Sequence, residues 1–142
     1  MSRGDPNQKL YSAKHRRKMK RLGLCGECGI RKISAKRASL CRRCGEKGRK
    51  GRRKLKRLVI NTYGGVCVCC RARDIEFLTL EHSRGDGQRH RASIPGGAAG
   101  IYRWLKKLNF PKNLGLLVLC MNCNFSKGHY GYCPHQRRKR GT

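Results

Sequence analysis

Apolar residues recur at strand or helix spacing mainly in the second half of the chain. The segment FLTLEH, residues 77–82, alternates as a half-buried strand does, and LGLLVLC, residues 114–120, is an apolar run typical of a buried strand. Between them, GIYRWLKKLNF, residues 100–110, places its apolar side chains on one helical face. A last helix is predicted from residue 123 to about residue 129. The pattern therefore predicts strand, loop, helix, strand and helix, with residues 83–100 as one long loop.

The first half of the chain has few apolar residues. Residues 1–21 are polar and basic without an apolar stripe, which predicts a disordered basic arm. Within residues 49–63, Leu and Val recur at helical spacing among Lys and Arg, and Gly64 follows as a helix stop. This segment is predicted to be a basic helix that links two modules. Residues 136–142 form a basic tail.

Composition indicates what stabilises such a chain. It has 142 residues and 10 cysteines, with 30% charged and 6% aromatic residues. Buried apolar surface alone is too small to hold it, so the cysteines are expected to contribute through disulfides or metal. The N-terminal segment has no apolar signal-peptide region, and no run approaches the roughly 18 apolar residues of a membrane span. We therefore expect a cytoplasmic protein without membrane contact, in which thiols stay reduced and paired cysteines bind zinc.

Cys-x-x-Cys pairs recur along the sequence. Each pair folds as a knuckle with two sulfurs on one side of a tight turn, and two knuckles complete a closed tetrahedral zinc site. The first two pairs predict a zinc ribbon or a related small finger over residues 22–48. The next two pairs enclose a folded insert and predict a second site, so the fold class is a small zinc-stabilised α+β protein. The predicted ligands are Cys25, Cys28, Cys41 and Cys44 in the first site, and Cys67, Cys70, Cys120 and Cys123 in the second.

The remaining cysteines leave two interpretations open. Cys69 could replace Cys67 or Cys70 as a ligand, or it could be a small buried residue. Cys133 and His135 have ligand chemistry and could form a third zinc site with Cys69, His90 or His129. The alternative is a C-terminal segment that packs on the core without metal.

The charge indicates the partner. The formal net charge is +29, from 36 Lys and Arg against 7 Asp and Glu. Such self-repulsion favours a polyanionic partner, and nucleic acid fits because each neutralised phosphate releases counterions. DNA is the expected partner, and RNA would satisfy the same chemistry. The alternative, a basic face that only solvates the fold, is disfavoured by the size of the charge.

Candidate catalytic residues lie where the first predicted strand ends. Cutting a phosphodiester requires a general base, a divalent cation with oxygen ligands, and positive charge on the scissile phosphate. His82 has a base of suitable pKa, and Glu81 and Asn124 have oxygen donors for the cation. The cations expected to contact the phosphate are Arg84, Arg89, Arg91 and Lys127.

The segments YGGVCVCC, FLTLEHSRGDGQRHR, IYRWLKKLNF and LVLCMNCNFSKGHYGYCPH resemble the HNH endonuclease family, in particular its small zinc-containing members common in bacteriophages. The resemblance covers residues 63–135, and the ribbon before it resembles an accessory DNA-binding finger. It implies a treble-clef-like ββα-metal module over residues 64–135, braced by the second zinc site. It also implies a bacterial or phage-infected host cell.

The resemblance assigns roles residue by residue. His82 matches the general base of the family, and Asn124 matches the last residue of the motif, which binds Mg²⁺ or Mn²⁺. Glu81 stands where the family has Asp, as the second ligand of that ion. Asn113 is the candidate for the middle Asn, slightly farther upstream than is usual.

The leading hypothesis is thus a metal-dependent DNA endonuclease that nicks or cuts both strands. The alternative is a non-catalytic zinc module that binds DNA or RNA, which explains the cysteines and the charge equally well. A structural protein of a ribonucleoprotein would also fit the charge, but it leaves the acid and the histidine at the strand end unexplained.

Overall fold

The computed structural model describes residues 6–33, 39–94 and 96–138. The chain divides into two units, Met1–Arg52 and Arg53–Thr142. The elements, in chain order, are α1 (Pro6–Arg21), α2 (Arg42–Thr62), β1 (Leu78–His82), α3 (Gly87–Ser93), α4 (Gly97–Lys107), β2 (Leu116–Cys120), α5 (Met121–Tyr130) and α6 (Pro134–Arg138). The described part is thus a small α+β protein, as the sequence predicts. None of its helices is long and apolar enough to cross a membrane.

The prediction of a disordered arm is wrong for residues 6–21, which form α1. Residues 1–5 of that predicted arm lie outside the described part. The segment is rich in Lys and Arg, which are strong helix formers, and residues 6–21 contain no glycine. An apolar stripe is one cause of helix formation, and propensity is another. The helix ends at Arg21, and Gly23, whose φ of +68° suits glycine, turns the chain toward the first knuckle.

Helix α2 begins at Arg42, directly after Cys41, and not at the predicted residue 49. The glycines at 45, 48 and 51 obscured the helical pattern, because each interior glycine costs a helix roughly 1 kcal/mol. The second knuckle of the first unit is therefore the start of a helix.

The second unit is built around a two-stranded antiparallel sheet. Strands β1 and β2 pair from Leu78 opposite Cys120 to His82 opposite Leu116. Both strands lie within the predicted segments. Both strands contribute to one hydrophobic core. Its buried side chains, besides buried cysteines, are Val59, Ile60, Leu78, Leu80, Ile94, Ile101, Leu105, Leu116, Val118 and Leu119.

The predicted loop over residues 83–100 is wrong in part, since it contains α3 and the first turn of α4. Its five glycines suggested a loop, but Gly87 has a packing role at the start of α3. A Cβ atom at this position would lie 2.8 Å from Nδ1 of His82. Glycine therefore allows α3 to approach the end of β1 closely.

Candidate functional site

The first cysteine cluster lies in the first unit. Cys25, Cys28, Cys41 and Cys44 place their sulfurs within 4.8 Å of one another, so the cluster could hold a metal ion. Backbone N–H groups of Cys28, Cys41 and Glu27 point at the sulfur of Cys25 and lower its pKa to about 6. Amides aimed at a sulfur stabilise its thiolate, which is the form that binds zinc.

The knuckle turn of this cluster recurs in the second unit. The N–H of Gly29 donates to the carbonyl oxygen of Cys25 at 2.7 Å, and the N–H of Arg71 donates to that of Cys67 at 2.9 Å. Both turns need a left-handed residue four positions after the first cysteine. Gly29 has φ +65° and Arg71 has φ +67°, so an arginine occupies a conformation that favours glycine.

The second cluster is formed by Cys67, Cys70, Cys120 and Cys123, also within 4.8 Å of one another. The sulfurs of Cys70 and Cys120 are 3.6 Å apart. Cys120 is the N-cap of α5, and its sulfur accepts the N–H of Cys123 at 3.4 Å. Burial acts to raise the pKa of Cys67, but the amides of Cys70, Cys120 and Cys69 together lower it to about 6. Both predicted clusters are therefore assembled, each from one turn and one helix start.

A third cluster joins the cysteines that the sequence left open. Cys69, Cys123, Cys133 and His135 bring their ligand atoms within 4.8 Å of one another. Nδ1 of His135 lies 3.3 Å from the sulfur of Cys133 and 3.4 Å from that of Cys123. The predicted partner Cys69 is thus present.

The histidines considered as partners of this third site lie elsewhere. His90 contacts His82 instead, and His129 stacks on Phe125 at 5.4 Å between ring centroids. The hypothesis that His90 or His129 completes the third cluster is therefore wrong. Their positions on α3 and α5 could not be read from chain spacing.

A groove lies at the end of the sheet opposite Cys120. The last strand pair is His82 with Leu116, and just beyond it the N–H of Ser83 donates to the carbonyl oxygen of Gly115 at 2.8 Å. The groove has a volume of about 390 Å³. It is lined by Arg84, Asp86, Arg89, His90, Ser93, Asn113 and Leu114. Three predicted site residues, Arg84, Arg89 and Asn113, therefore share one surface.

Two histidines meet behind this groove. Nε2 of His82 lies 2.6 Å from Nδ1 of His90, so one ring donates a hydrogen bond to the other. His90 also packs edge-on against Trp104, with ring centroids 5.0 Å apart. His82 is only 2% exposed, whereas His90 lines the groove. Sequence reasoning missed His90 as a partner of His82, although His90 lies in the segment GDGQRHR, only eight residues after His82.

Burial and charge act on His82. Burial is the main cause that lowers its pKa, and the neighbouring His90 lowers it further. Asp86 and Glu81 raise the pKa and Arg91 lowers it, so all three charges act on the ring. Nδ1 of His82 is buried without a hydrogen-bond partner among the described atoms. His82 is therefore favoured as a neutral imidazole, the form in which it can accept a proton.

The other predicted site residues, Glu81, Arg91, Asn124 and Lys127, do not line the groove. Glu81 is half-buried on the opposite face of β1 from His82, because side chains alternate along a strand. Asn124 and Lys127 are half-buried on α5, which packs against both strands and begins at the Cys120 end of the sheet. From Leu78, opposite Cys120, to His82 the strand advances four residues, or about 13 Å. Helix α5, which follows Cys120, therefore begins about 13 Å along the sheet from His82.

Comparison with known proteins gives no relative. No protein-family model, no curated protein and no solved structure matches the chain.

Proposed function

We propose that this chain is a metal-dependent endonuclease of the HNH type, which hydrolyses phosphodiester bonds of DNA. The supporting observation is the His82–His90 pair at a groove that also carries Arg84 and Arg89. A general base and two cations suited to binding phosphate then lie at the same groove. The whole chain carries a net charge of +29, which favours a nucleic-acid substrate.

His82 and His90 together move the proton of the attacking water. In the productive tautomers, Nδ1 of His90 donates to Nε2 of His82, and His82 keeps its proton on Nδ1. The water in the groove gives a proton to Nε2 of His90 while the Nδ1 proton passes to His82. Burial, His90 and Arg91 disfavour the imidazolium formed at His82, and the negative charges of Asp86 and Glu81 offset part of this cost.

Arg84 and Arg89 bind and orient the scissile phosphate. Both are exposed at the groove, and a guanidinium can donate two hydrogen bonds to phosphate oxygens. Asn113, which also lines the groove, can donate or accept a further hydrogen bond. Holding the phosphate in line with the water is itself a large part of phosphoryl-transfer catalysis.

Glu81 and Asn124 are the oxygen donors that would hold Mg²⁺ or Mn²⁺. Each cluster of three or more His, Cys, Asp or Glu ligands in the described part contains cysteine, and none includes Glu81. Carboxylate and amide oxygens suit Mg²⁺ chemically, since this ion binds few protein carboxylates and keeps water and phosphate ligands. No contact in the described part joins Glu81 to Asn124, because Glu81 lies near the His82 end of the sheet and α5 begins at the Cys120 end. When bound, the ion would supply positive charge for the leaving oxygen.

Nicking of supercoiled plasmid tests the proposal. Wild-type protein should nick in Mg²⁺ or Mn²⁺ and not without added divalent ion. His82→Ala should lower the rate by about 10²- to 10⁴-fold, the usual loss for a general base, with zinc content and DNA affinity unchanged. His90→Ala should lose a comparable factor if it passes the proton. Ser93→Ala removes a groove hydroxyl that donates only to the backbone carbonyl oxygen of His90 and leaves both imidazoles in place, so it should keep the rate.

Three further results bear on the assignment. Glu81→Ala and Asn124→Ala should be partly rescued by more Mn²⁺, since they would weaken a metal site. Glu81→Asp restores the acid that is usual in the HNH family and should hold or raise activity. Wild-type protein that binds plasmid tightly but nicks in none of Mg²⁺, Mn²⁺ and Ni²⁺ would refute the nuclease proposal.

A second candidate function is a non-catalytic nucleic-acid-binding module. A specific feature of α5 favours it. Phe125 and Tyr130 are 66% and 59% exposed, and His129 contacts both rings. Exposed aromatic faces beside basic side chains such as Lys127 suit stacking with unpaired bases. In that case Phe125→Ala should weaken binding to single-stranded DNA or RNA several-fold, and His82→Ala should not affect it.

A further inference from the structure

Cys123 belongs to two of the three clusters. Its sulfur lies within 4.8 Å of the sulfurs of Cys67, Cys70 and Cys120, and also within 4.8 Å of the ligand atoms of Cys69, Cys133 and His135. One sulfur is thus surrounded by six other ligand atoms. This crowding is unlike the first cluster, whose four cysteines belong to no other such group among the described residues.

We propose that these seven residues hold two zinc ions bridged by the Cys123 thiolate. One ion takes Cys67, Cys70, Cys120 and Cys123, and the other takes Cys123, Cys69, Cys133 and His135. Two tetrahedral ions need eight coordination positions, and seven ligand atoms supply eight when one sulfur bridges. The inference is independent of the proposed nuclease function.

Distances support tetrahedral ligation at both ions. Zinc–sulfur bonds of about 2.3 Å place two sulfurs about 3.8 Å apart, and a zinc–nitrogen bond of about 2.0 Å gives sulfur–nitrogen edges of about 3.5 Å. The sulfurs of Cys70 and Cys120 are 3.6 Å apart. Nδ1 of His135 is 3.3 and 3.4 Å from the sulfurs of Cys133 and Cys123.

Burial and charge favour two ions over one. A single ion would leave three ligands unused, and Cys69 and Cys133 are only 6% and 4% exposed. Six thiolates, one neutral imidazole and two Zn²⁺ carry a net charge of −2, which equals that of a single four-thiolate zinc site. A second ion would therefore be bound by the extra thiolates, and the net charge of the core would stay at that of one four-thiolate site.

The second ion would also connect distant parts of the chain. Cys69 lies in the knuckle before β1, Cys123 in the first turn of α5, and Cys133 and His135 beyond its end. The first ion links only the knuckle and the start of α5. The bridged pair therefore fixes the end of α5 and the start of α6 against the sheet, which a single zinc could not do.

Cadmium substitution of the full-length chain tests the bridge directly. The ¹¹³Cd NMR spectrum should show three resonances, two split by coupling through the Cys123 sulfur and one unsplit from the first cluster. Zinc content of the native protein should be about three per chain. Two ions per chain, or three resonances without splitting, would overturn the proposal.

Two matched double variants assign the resonances. Cys133→Ala with His135→Ala should remove one resonance and the splitting, because the second ion would keep only Cys69 and Cys123. Cys28→Ser with Cys44→Ser should remove the unsplit resonance and leave the coupled pair. If the first double variant fails to fold, X-ray absorption of wild-type protein decides. Zinc–zinc scattering at about 3.8 Å, the separation around a tetrahedral bridging sulfur, is expected, and its absence would contradict the bridge.

Discussion

Gly87→Ala perturbs the packing behind the candidate site. Gly87 is the first residue of α3 and is buried against the end of β1. A Cβ atom there would lie 2.8 Å from Nδ1 of His82 and 2.9 Å from a terminal nitrogen of Arg91. Arg91 can swing away, because the contact involves the far end of a flexible side chain. The His82 ring cannot move freely, since it is 2% exposed and hydrogen-bonded to His90.

This overlap determines how much the free energy of unfolding should fall in Gly87→Ala. Ordinary contacts begin at 3.4 Å, so the ring of His82 must retreat by about 0.6 Å or α3 must shift. Overpacking of a buried site costs about 1–3 kcal/mol. Replacing glycine by alanine in a helix offsets up to about 1 kcal/mol of this cost, and less at a first position such as Gly87. A net loss of about 1–2 kcal/mol remains, together with displacement of the His82–His90 hydrogen bond.

Thermal unfolding of zinc-loaded protein, followed by circular dichroism, measures this loss. For a unit of this size, about 1 kcal/mol corresponds to a shift in Tm of 4–8 °C. Gly128→Ala is the matched control, because Gly128 lies within α5 of the same unit and a Cβ atom there meets nothing within 4 Å. Gly128→Ala should raise Tm, whereas Gly87→Ala should lower it and slow plasmid nicking.

The Tm values of Gly87→Ala and Gly128→Ala together test whether α3 packs closely against His82. If Gly87→Ala raises Tm as much as Gly128→Ala does, the close approach of α3 to His82 is wrong. If Gly87→Ala lowers Tm but leaves nicking at the wild-type rate, the His82 ring position has no role in catalysis. A crystal structure of the variant would then show which atoms moved.

Other predictions follow from particular residues. Arg71→Gly should raise stability by up to about 1 kcal/mol, because Arg71 has φ +67° in the turn where the first knuckle has Gly29; unfolding in urea would measure the gain, and a loss would contradict it. Zinc removal by a chelator should abolish the far-ultraviolet dichroism of the second unit, since structural zinc contributes on the order of 10 kcal/mol to folding; a spectrum that survives with no bound zinc would count against a structural role. Affinity for duplex DNA should fall about 10³-fold between 50 and 200 mM salt, which fluorescence anisotropy would follow, and an affinity independent of salt would refute electrostatic binding.

Local patterns predicted the elements whose causes are local. The alternation of FLTLEH gave β1 within one residue, and four Cys-x-x-Cys pairs gave both four-cysteine clusters. Helix α1 was missed because it has strong helix formers but no apolar stripe, and the prediction relied on the stripe. The start of α2 was missed because its glycines mask a helix that begins at the second knuckle of the first cluster.

Contacts between distant segments could not be predicted. The pairing of His82 with His90 depends on α3, and α3 approaches β1 only because Gly87 lacks a side chain. The partners of Cys133 and His135 depend on how the chain returns after α5, which spacing does not determine. Ligand chemistry suggested a third site, and only the fold shows that this site includes Cys123.

Structural zinc also has a consequence for the face of β1 that carries His82. Two strands of five residues form too little sheet to be stable alone. A slip of one residue in their pairing would move His82 from the buried face and bring Glu81 in its place. Cys120 ends β2 opposite Leu78, and its ligation with Cys67 and Cys70 would fix this register from one end of the sheet. The zinc cluster can therefore control the orientation of His82 about 13 Å away without contacting it.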